Sequence, residues 1–239
     1  MTQGDPPLLE IRSLDAGYGQ RKVVEGLSAR INEKDILLLL GHNGAGKSTL
    51  LKTIFGLLPP SGGQVLYRGE DITGRDPKSN VQSGICFVPQ GHAIFRRLTV
   101  AENLNVATLI VRDKAALPSR IDAVHELFPI LLERRAQVAG TMSGGQQQML
   151  AIAMALVQGP KLLMLDEPSI GLSPNLVVAV MDAVAKIRTM LGSTILMVEQ
   201  NVEKSVPIAT SALVMRTGRK IYDGDPEALK DRARLIGYL

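Results

Sequence analysis

The chain has no tryptophan, and aromatic residues make up only 3 % of its 239 residues. Base-stacking platforms of the kind that hold single-stranded nucleic acid are therefore not expected. The core must rest on Leu, Ile, Val, Met and Ala. A single cysteine, Cys86, rules out an internal disulfide, and its place in the apolar run Ile85-Cys86-Phe87-Val88 predicts a buried, inert thiol. His42, His92 and His125 are too scattered to offer metal-ligand spacing. The longest apolar runs, residues 36–40 and 149–157, are far too short to span a bilayer, and residues 1–7 lack the basic and apolar regions of a secretion signal. A cytoplasmic location is the expectation. The net charge of +4 is mild and not gathered into a basic tract, so a solvated surface is the default and no nucleic-acid partner is expected.

What is present is a regular alternation. Short apolar runs at 8–14, 24–31, 36–40, 64–67, 85–88, 162–165, 194–198 and 212–215 read as strands and alternate with helical patterns. That order predicts an α/β fold with a largely parallel sheet covered by helices. The length suits one large domain, or a core carrying an insertion. Residues 8–31 and 64–68 read as a small antiparallel sheet, and Gly62-Gly63, Gly69 and Gly74 read as turns after the first helix. Arg216-Thr217-Gly218-Arg219 reads as a turn leading to a last strand at 220–222. Between about 93 and 159 the pattern is helical, at 98–111, 119–127 and 145–157. The expected organisation is thus one domain over 1–239, with a nucleotide-binding core from 1–92 and 159–239 and an inserted helical subdomain at 93–158.

Gly41-His42-Asn43-Gly44-Ala45-Gly46-Lys47-Ser48 stands between the strand-like run 36–40 and a helical run. This is a P-loop in its working context. Glycines let successive N–H groups converge on a phosphate, and the helix behind adds its positive end. Lys47 reaches the β- and γ-phosphates, the Ser48 hydroxyl ligates Mg²⁺, and Gly41, Asn43, Gly44, Ala45, Gly46 and Thr49 complete the expected binding loop for a nucleoside triphosphate. A second strand, Leu162-Leu163-Met164-Leu165, ends in Asp166-Glu167. Asp166 is placed to hold Mg²⁺ opposite Ser48, and Glu167, one residue on, to polarise a water in line with the γ-phosphate as general base.

Met142-Ser143-Gly144-Gly145-Gln146 leads into a further helix, and Gln90 follows a strand. Ser143 caps that helix, and the glycines expose N–H groups at its start, making a second anion-binding surface. With the P-loop and Asp166-Glu167 in the same order, the chain closely resembles the ATP-binding-cassette (ABC) ATPases over nearly its whole length. The resemblance implies a P-loop NTPase core of RecA-like type, with an N-terminal antiparallel β-subdomain and an inserted α-helical subdomain. It implies that Ser143, Gly144, Gly145 and Gln146 grip the γ-phosphate bound by another subunit, so that two ATP molecules are sandwiched between two cassettes. Tyr18, in Ala16-Gly17-Tyr18-Gly19, matches the aromatic that stacks on adenine, and Gln90 the residue that senses Mg²⁺ and the attacking water. The segment 91–98 is either a docking surface for a membrane partner or a core-facing Phe95 with solvated arginines.

Two positions depart from the wider family. The switch residue, usually histidine, is Gln200, which keeps a hydrogen bond to the γ-phosphate but carries no charge; Ser173 stands where an aspartate is common. Gly140-Thr141-Met142-Ser143-Gly144-Gly145, the triple glutamine Gln146-Gln147-Gln148 and Val198-Glu199-Gln200-Asn201 look like the ATPases of branched-chain amino-acid importers. That resemblance implies an ATPase at the cytoplasmic face of the inner membrane. Its partners would be transmembrane permease subunits, a second ABC ATPase subunit (identical or different) and, indirectly, an extracytoplasmic substrate-binding protein. Val88-Pro89-Gln90-Gly91 is also similar to importers of urea and short-chain amides. A soluble cassette ATPase would bring coiled coils, zinc modules or a second cassette, none of which is visible. A binding-only cassette fits poorly with intact Lys47, Ser48, Asp166 and Glu167.

Overall fold

The computed structural model describes residues 6–91 and 93–231; the N-terminal stretch 1–5, His92 and the end of the chain lie outside them. The chain opens with β1 (Leu9–Tyr18) and β2 (Arg21–Ile31), then β3 (Ile36–Leu40) and α1 (Lys47–Phe55). Next come β4 (Pro60–Tyr67), the two-residue β5 (Glu70–Asp71), α2 (Pro77–Gln82) and β6 (Ile85–Val88). Four helices follow without an intervening strand: α3 (Val100–Thr108), α4 (Leu117–Leu127), α5 (Pro129–Glu133) and α6 (Gly144–Val157). The chain then runs through β7 (Leu162–Asp166), α7 (Pro174–Leu191), β8 (Thr194–Val198), α8 (Val202–Ser205), β9 (Ser211–Arg216) and β10 (Arg219–Gly224).

Two sheets result. The order β2-β1-β4-β5 is antiparallel, and β10-β9-β3-β8-β7-β6 is parallel except for its β10 edge. The run Ile36–Leu40 is apolar at every position because β3 is central and covered on both faces. Ile36, Leu38 and Leu40 face a core shared with α3, α4, α6 and α7, whereas Leu37 and Leu39 face a second core shared with α1 and the antiparallel sheet. The period of two within one strand thus joins the two cores.

The helix starts follow local chemistry. Thr99 and Glu102 form a capping box at α3, and Asp76 accepts from Ser79 N to cap α2. Proline at the first turn of α7 and Gly192 just past its end bracket the longest helix. Gly62 and Gly63, read from the sequence as a turn, lie instead within β4: Gly62 pairs with Asp15 of β1, and a Cβ on Gly63 would lie 2.3 Å from the Ser13 carbonyl oxygen. The glycines admit a close approach at the irregular middle of β1 rather than a reversal of the chain.

Candidate nucleotide site

The site is assembled where β3, β6, β7 and β8 end side by side, because parallel strands deliver their following loops to one edge. The turn from β3 into α1 needs its glycines. Gly46 has φ +104°, and a Cβ there would lie 2.8 Å from the Val23 carbonyl oxygen. The Lys47 ammonium is buried and donates to the carbonyls of Gly41 at 2.7 Å and His42 at 3.0 Å. It also stands 3.9 Å from Glu167 Oε1. Burial pushes its pKa down, while the Glu167 and Asp166 carboxylates draw it back up.

Asp166 is the last residue of β7, and the Ser48 hydroxyl donates to its Oδ1 at 3.1 Å. Burial raises the Asp166 pKa, the bond from Ser48 lowers it, and the adjacent Glu167 raises it further. Glu167 takes φ +52°, a left-handed conformation uncommon for a residue with a side chain. Its N–H donates to the Val198 carbonyl at 3.0 Å. This turn at the strand end sends the two neighbouring carboxylates to different partners. Glu167 Oε2 accepts from Gln90 Nε2 at 3.3 Å, and Oε1 from Gln200 Nε2 at 2.7 Å. The same Gln200 amide donates to Asn43 Oδ1 at 2.9 Å. Gln90 arrives from the end of β6 and Gln200 from the end of β8, so three strand ends and the P-loop converge on one carboxylate.

These groups surround a cleft of about 350 Å³, lined by Asn43, Gly44, Gly46, Lys47, Ser48, Thr49, Gln90, Glu167 and Gln200 together with Val23 and Ile170. A cation fixed by backbone carbonyls, a hydroxyl beside a carboxylate and a second carboxylate held by two amides suit a polyphosphate with an associated divalent cation. Among the described residues, no three His, Cys, Asp or Glu side chains come together as a metal-binding cluster.

Other expected residues stand elsewhere. Tyr18, 52 % exposed, closes β1 and does not line the cleft. Neither does the turn Ser143-Gly144-Gly145-Gln146, which starts α6. There the Gln146 N–H donates to Ser143 Oγ at 3.4 Å, and the Ser143 N–H donates to Gln146 Oε1 at 3.1 Å, a capping box. Gly145 is buried against Leu176, so packing as well as N–H exposure explains its lack of a side chain. Phe95, at 50 % exposed, is not core-facing; its N–H donates to the buried Asn103 Oδ1 at 2.8 Å. His92 in the same segment is outside the described residues.

Sequence reasoning missed Val23 and Ile170 in the cleft wall, and it gave no role to Glu199 beside Gln200. An acidic residue directly after the apolar run of β8 was the available signal.

Comparison with known proteins gives a consistent picture. A family model described as ABC transporter matches residues 24–170. The probable branched-chain amino acid transport ATP-binding protein LivF of Archaeoglobus fulgidus is 40 % identical over 95 % of this chain and 96 % of its own length. The high-affinity branched-chain amino acid transport ATP-binding protein BraG of Pseudomonas aeruginosa is also 40 % identical, covering 93 % and 94 %. The lipopolysaccharide export system ATP-binding protein LptB of Escherichia coli K12 is 33 % identical over 93 % of each. Among solved structures, the ADP conformation of an ATP-binding cassette of an ABC transporter superposes with a TM-score of 0.86 at 25 % identity, covering 97 % of this chain and 98 % of that one.

Proposed function

This chain belongs to the ABC transporter family of ATPases, and from that premise we propose that it is the ATP-hydrolysing subunit of an importer of branched-chain amino acids or related compounds. The observation that carries the enzymatic half is the Glu167 carboxylate, held by the amides of Gln90 and Gln200 beside the P-loop lysine. A carboxylate held by two amide donors keeps its direction. It is thereby placed to accept a proton from a water attacking the γ-phosphate.

In this reading the N–H groups of residues 41–49 cradle the phosphates, and Lys47 exchanges its carbonyl partners for phosphate oxygens. The Ser48 hydroxyl and the Asp166 carboxylate, already adjacent, are hard oxygen donors of the kind Mg²⁺ takes, with Gln90 completing the protein's share. When bound, the ion neutralises charge on the phosphate oxygens. Gln200, its amide also bonded to Asn43 Oδ1, orients Glu167. Tyr18 supplies a ring for the adenine from the rim.

The start of α6 would complete the site of a second cassette, identical or different, its backbone N–H groups meeting the γ-phosphate held by that partner. We assign 93–158 as the helical subdomain that relays this closure, and the exposed Phe95 with Arg96 and Arg97 as the surface meeting the permease subunits. No helix among the described residues is long and apolar enough to cross a membrane. By analogy with the transport ATP-binding proteins it resembles, the chain would sit peripherally on the cytoplasmic face, with a substrate-binding protein acting through the permeases.

Import of branched-chain amino acids is favoured over urea or short-chain amides by the higher-identity relatives. The test is reconstitution of the chain with the permeases and binding protein of a branched-chain amino-acid importer from the same organism. ATP-dependent uptake of labelled leucine is expected. Uptake of urea or acetamide instead would transfer the cargo to the second reading, and failure of any permease to recruit the chain would overturn the transport role.

A further inference from the structure

Glu199 takes no part in the mechanism above, yet it is only 2 % exposed and directly precedes Gln200. Its carboxylate accepts four hydrogen bonds from neutral donors. Oε1 accepts from Ser169 N at 2.9 Å; Oε2 accepts from Ser169 Oγ at 2.8 Å, Gln200 N at 3.1 Å and Asn201 N at 3.5 Å. Burial pushes its pKa up, so the charge costs stability that an apolar side chain of similar size would not. Packing alone does not call for an acid here.

The two bonds from Ser169 tie the loop leaving β7 to the loop leaving β8, beside the backbone bond from Glu167 N–H to the Val198 carbonyl, while those from Gln200 N and Asn201 N fold the β8 loop around the carboxylate. Ser169 lies two residues after Glu167, in the loop leaving β7, and is itself buried. Gln200 and Asn201 lie in the loop leaving β8. A closed circuit follows: Glu167 runs through Pro168 to Ser169, which bonds Glu199; the chain continues to Gln200, whose amide returns to Glu167 Oε1. We propose that Glu199 is a positioning residue for ATP hydrolysis, locking the β7 and β8 loops so that the Gln200 amide meets the Glu167 carboxylate. The inference rests on the roles given above to Glu167 and Gln200.

The experiment is a kinetic double-mutant cycle on the full chain, at concentrations that allow pairing, with kcat and KM for ATP measured separately. Glu199→Gln keeps shape but sets an amide donor against a backbone N–H that it must accept. Its kcat is expected to fall about tenfold or more with KM changed less than about threefold, and Glu199→Asp to recover part of the loss. Because Glu199 acts through Gln200, Gln200→Ala added to Glu199→Gln should lower kcat by less than the product of the single effects. Should Glu199→Gln fail to fold, Ser169→Ala carries the test: it removes one bond of the circuit and should lower kcat several-fold at unchanged KM. If Gln200→Ala alone leaves kcat unchanged, the role of Gln200 fails, and this inference with it. If Gln200→Ala is slow but the Glu199 and Ser169 variants turn over normally, or the cycle is multiplicative, the role of Glu199 alone is overturned.

Discussion

Gln200 Nε2 lies 2.7 Å from Glu167 Oε1, so the switch position and the proposed base are in direct contact across the ends of two strands. In the proposed mechanism, the contact lets glutamine serve where histidine is usual. What the base needs from this neighbour is a hydrogen-bond donor at a fixed place, which an amide supplies without carrying a charge.

The first prediction concerns that base. Glu167→Gln keeps size and polarity but cannot accept a proton from water. ATP affinity, followed with a fluorescent nucleotide, should stay within about threefold, while phosphate release falls by roughly 10²–10⁴, the usual contribution of a positioned base. Near-normal turnover would move the base to another group.

A second prediction separates binding from pairing. Ser143 is exposed at the start of α6 and outside the chain's own cleft. Ser143→Arg should leave ATP binding to the monomer intact and abolish the ATP-dependent dimer of the Glu167→Gln background, as read by light scattering. Loss of the cap costs about 1 kcal/mol, or roughly 2–4 °C in Tm for a chain of this size, so the variant remains folded. An undiminished dimer would contradict the shared site.

The third prediction tests the P-loop turn. At φ +104°, and with the Val23 carbonyl oxygen only 2.8 Å from where a Cβ would stand, Gly46→Ala must shift the loop. Strain of about 1–3 kcal/mol is expected, lowering Tm by several degrees. Because the shift moves the N–H groups proposed to cradle the phosphates, nucleotide affinity should fall by more than about tenfold. Unaltered affinity would separate the turn from binding.

Much of this architecture was legible in the chain itself, for identifiable reasons. Buried parallel strands leave uninterrupted apolar runs, and 36–40, 85–88, 162–165 and 194–198 all fall within observed strands. The P-loop and Asp166-Glu167 were legible because each sits at the end of such a run. What escaped is what sequence spacing does not encode. The helix Pro174–Leu191 carries Val177, Val178, Val180 and Val184, whose β-branching dilutes its helical signal. The short helix 77–82 hides among turn residues and is held partly by Asn80, whose Nδ2 donates to the Phe55 carbonyl at 2.9 Å. The bonds from Gln90 and Gln200 to Glu167 cross 77 and 33 residues, and the Ser169–Glu199 contact crosses 30. Only the fold brings them together.

The last prediction uses the one cysteine as a probe of the core. Cys86 sits in β6 at 3 % exposed, its Sγ 3.5 Å from Gln158 Oε1, and burial pushes its pKa up to about 12 from an ordinary value of 9.0. In the folded chain it should therefore resist thiol reagents at pH 8 and react only on unfolding. The sign of the linkage follows from the raised value. Below pH 9 the thiol is neutral in both states; above it the unfolded chain releases the proton while the folded chain keeps it, so stability falls as pH rises toward 12. Between pH 8 and 10 this one group should cost about 1.4 kcal/mol, roughly 3–5 °C in Tm. Cys86→Ala leaves a cavity and lowers Tm at every pH, yet its Tm should decline less steeply over that interval than that of the parent chain. Parallel declines in the two proteins would mean that the thiol ionises as freely inside the sheet as outside it.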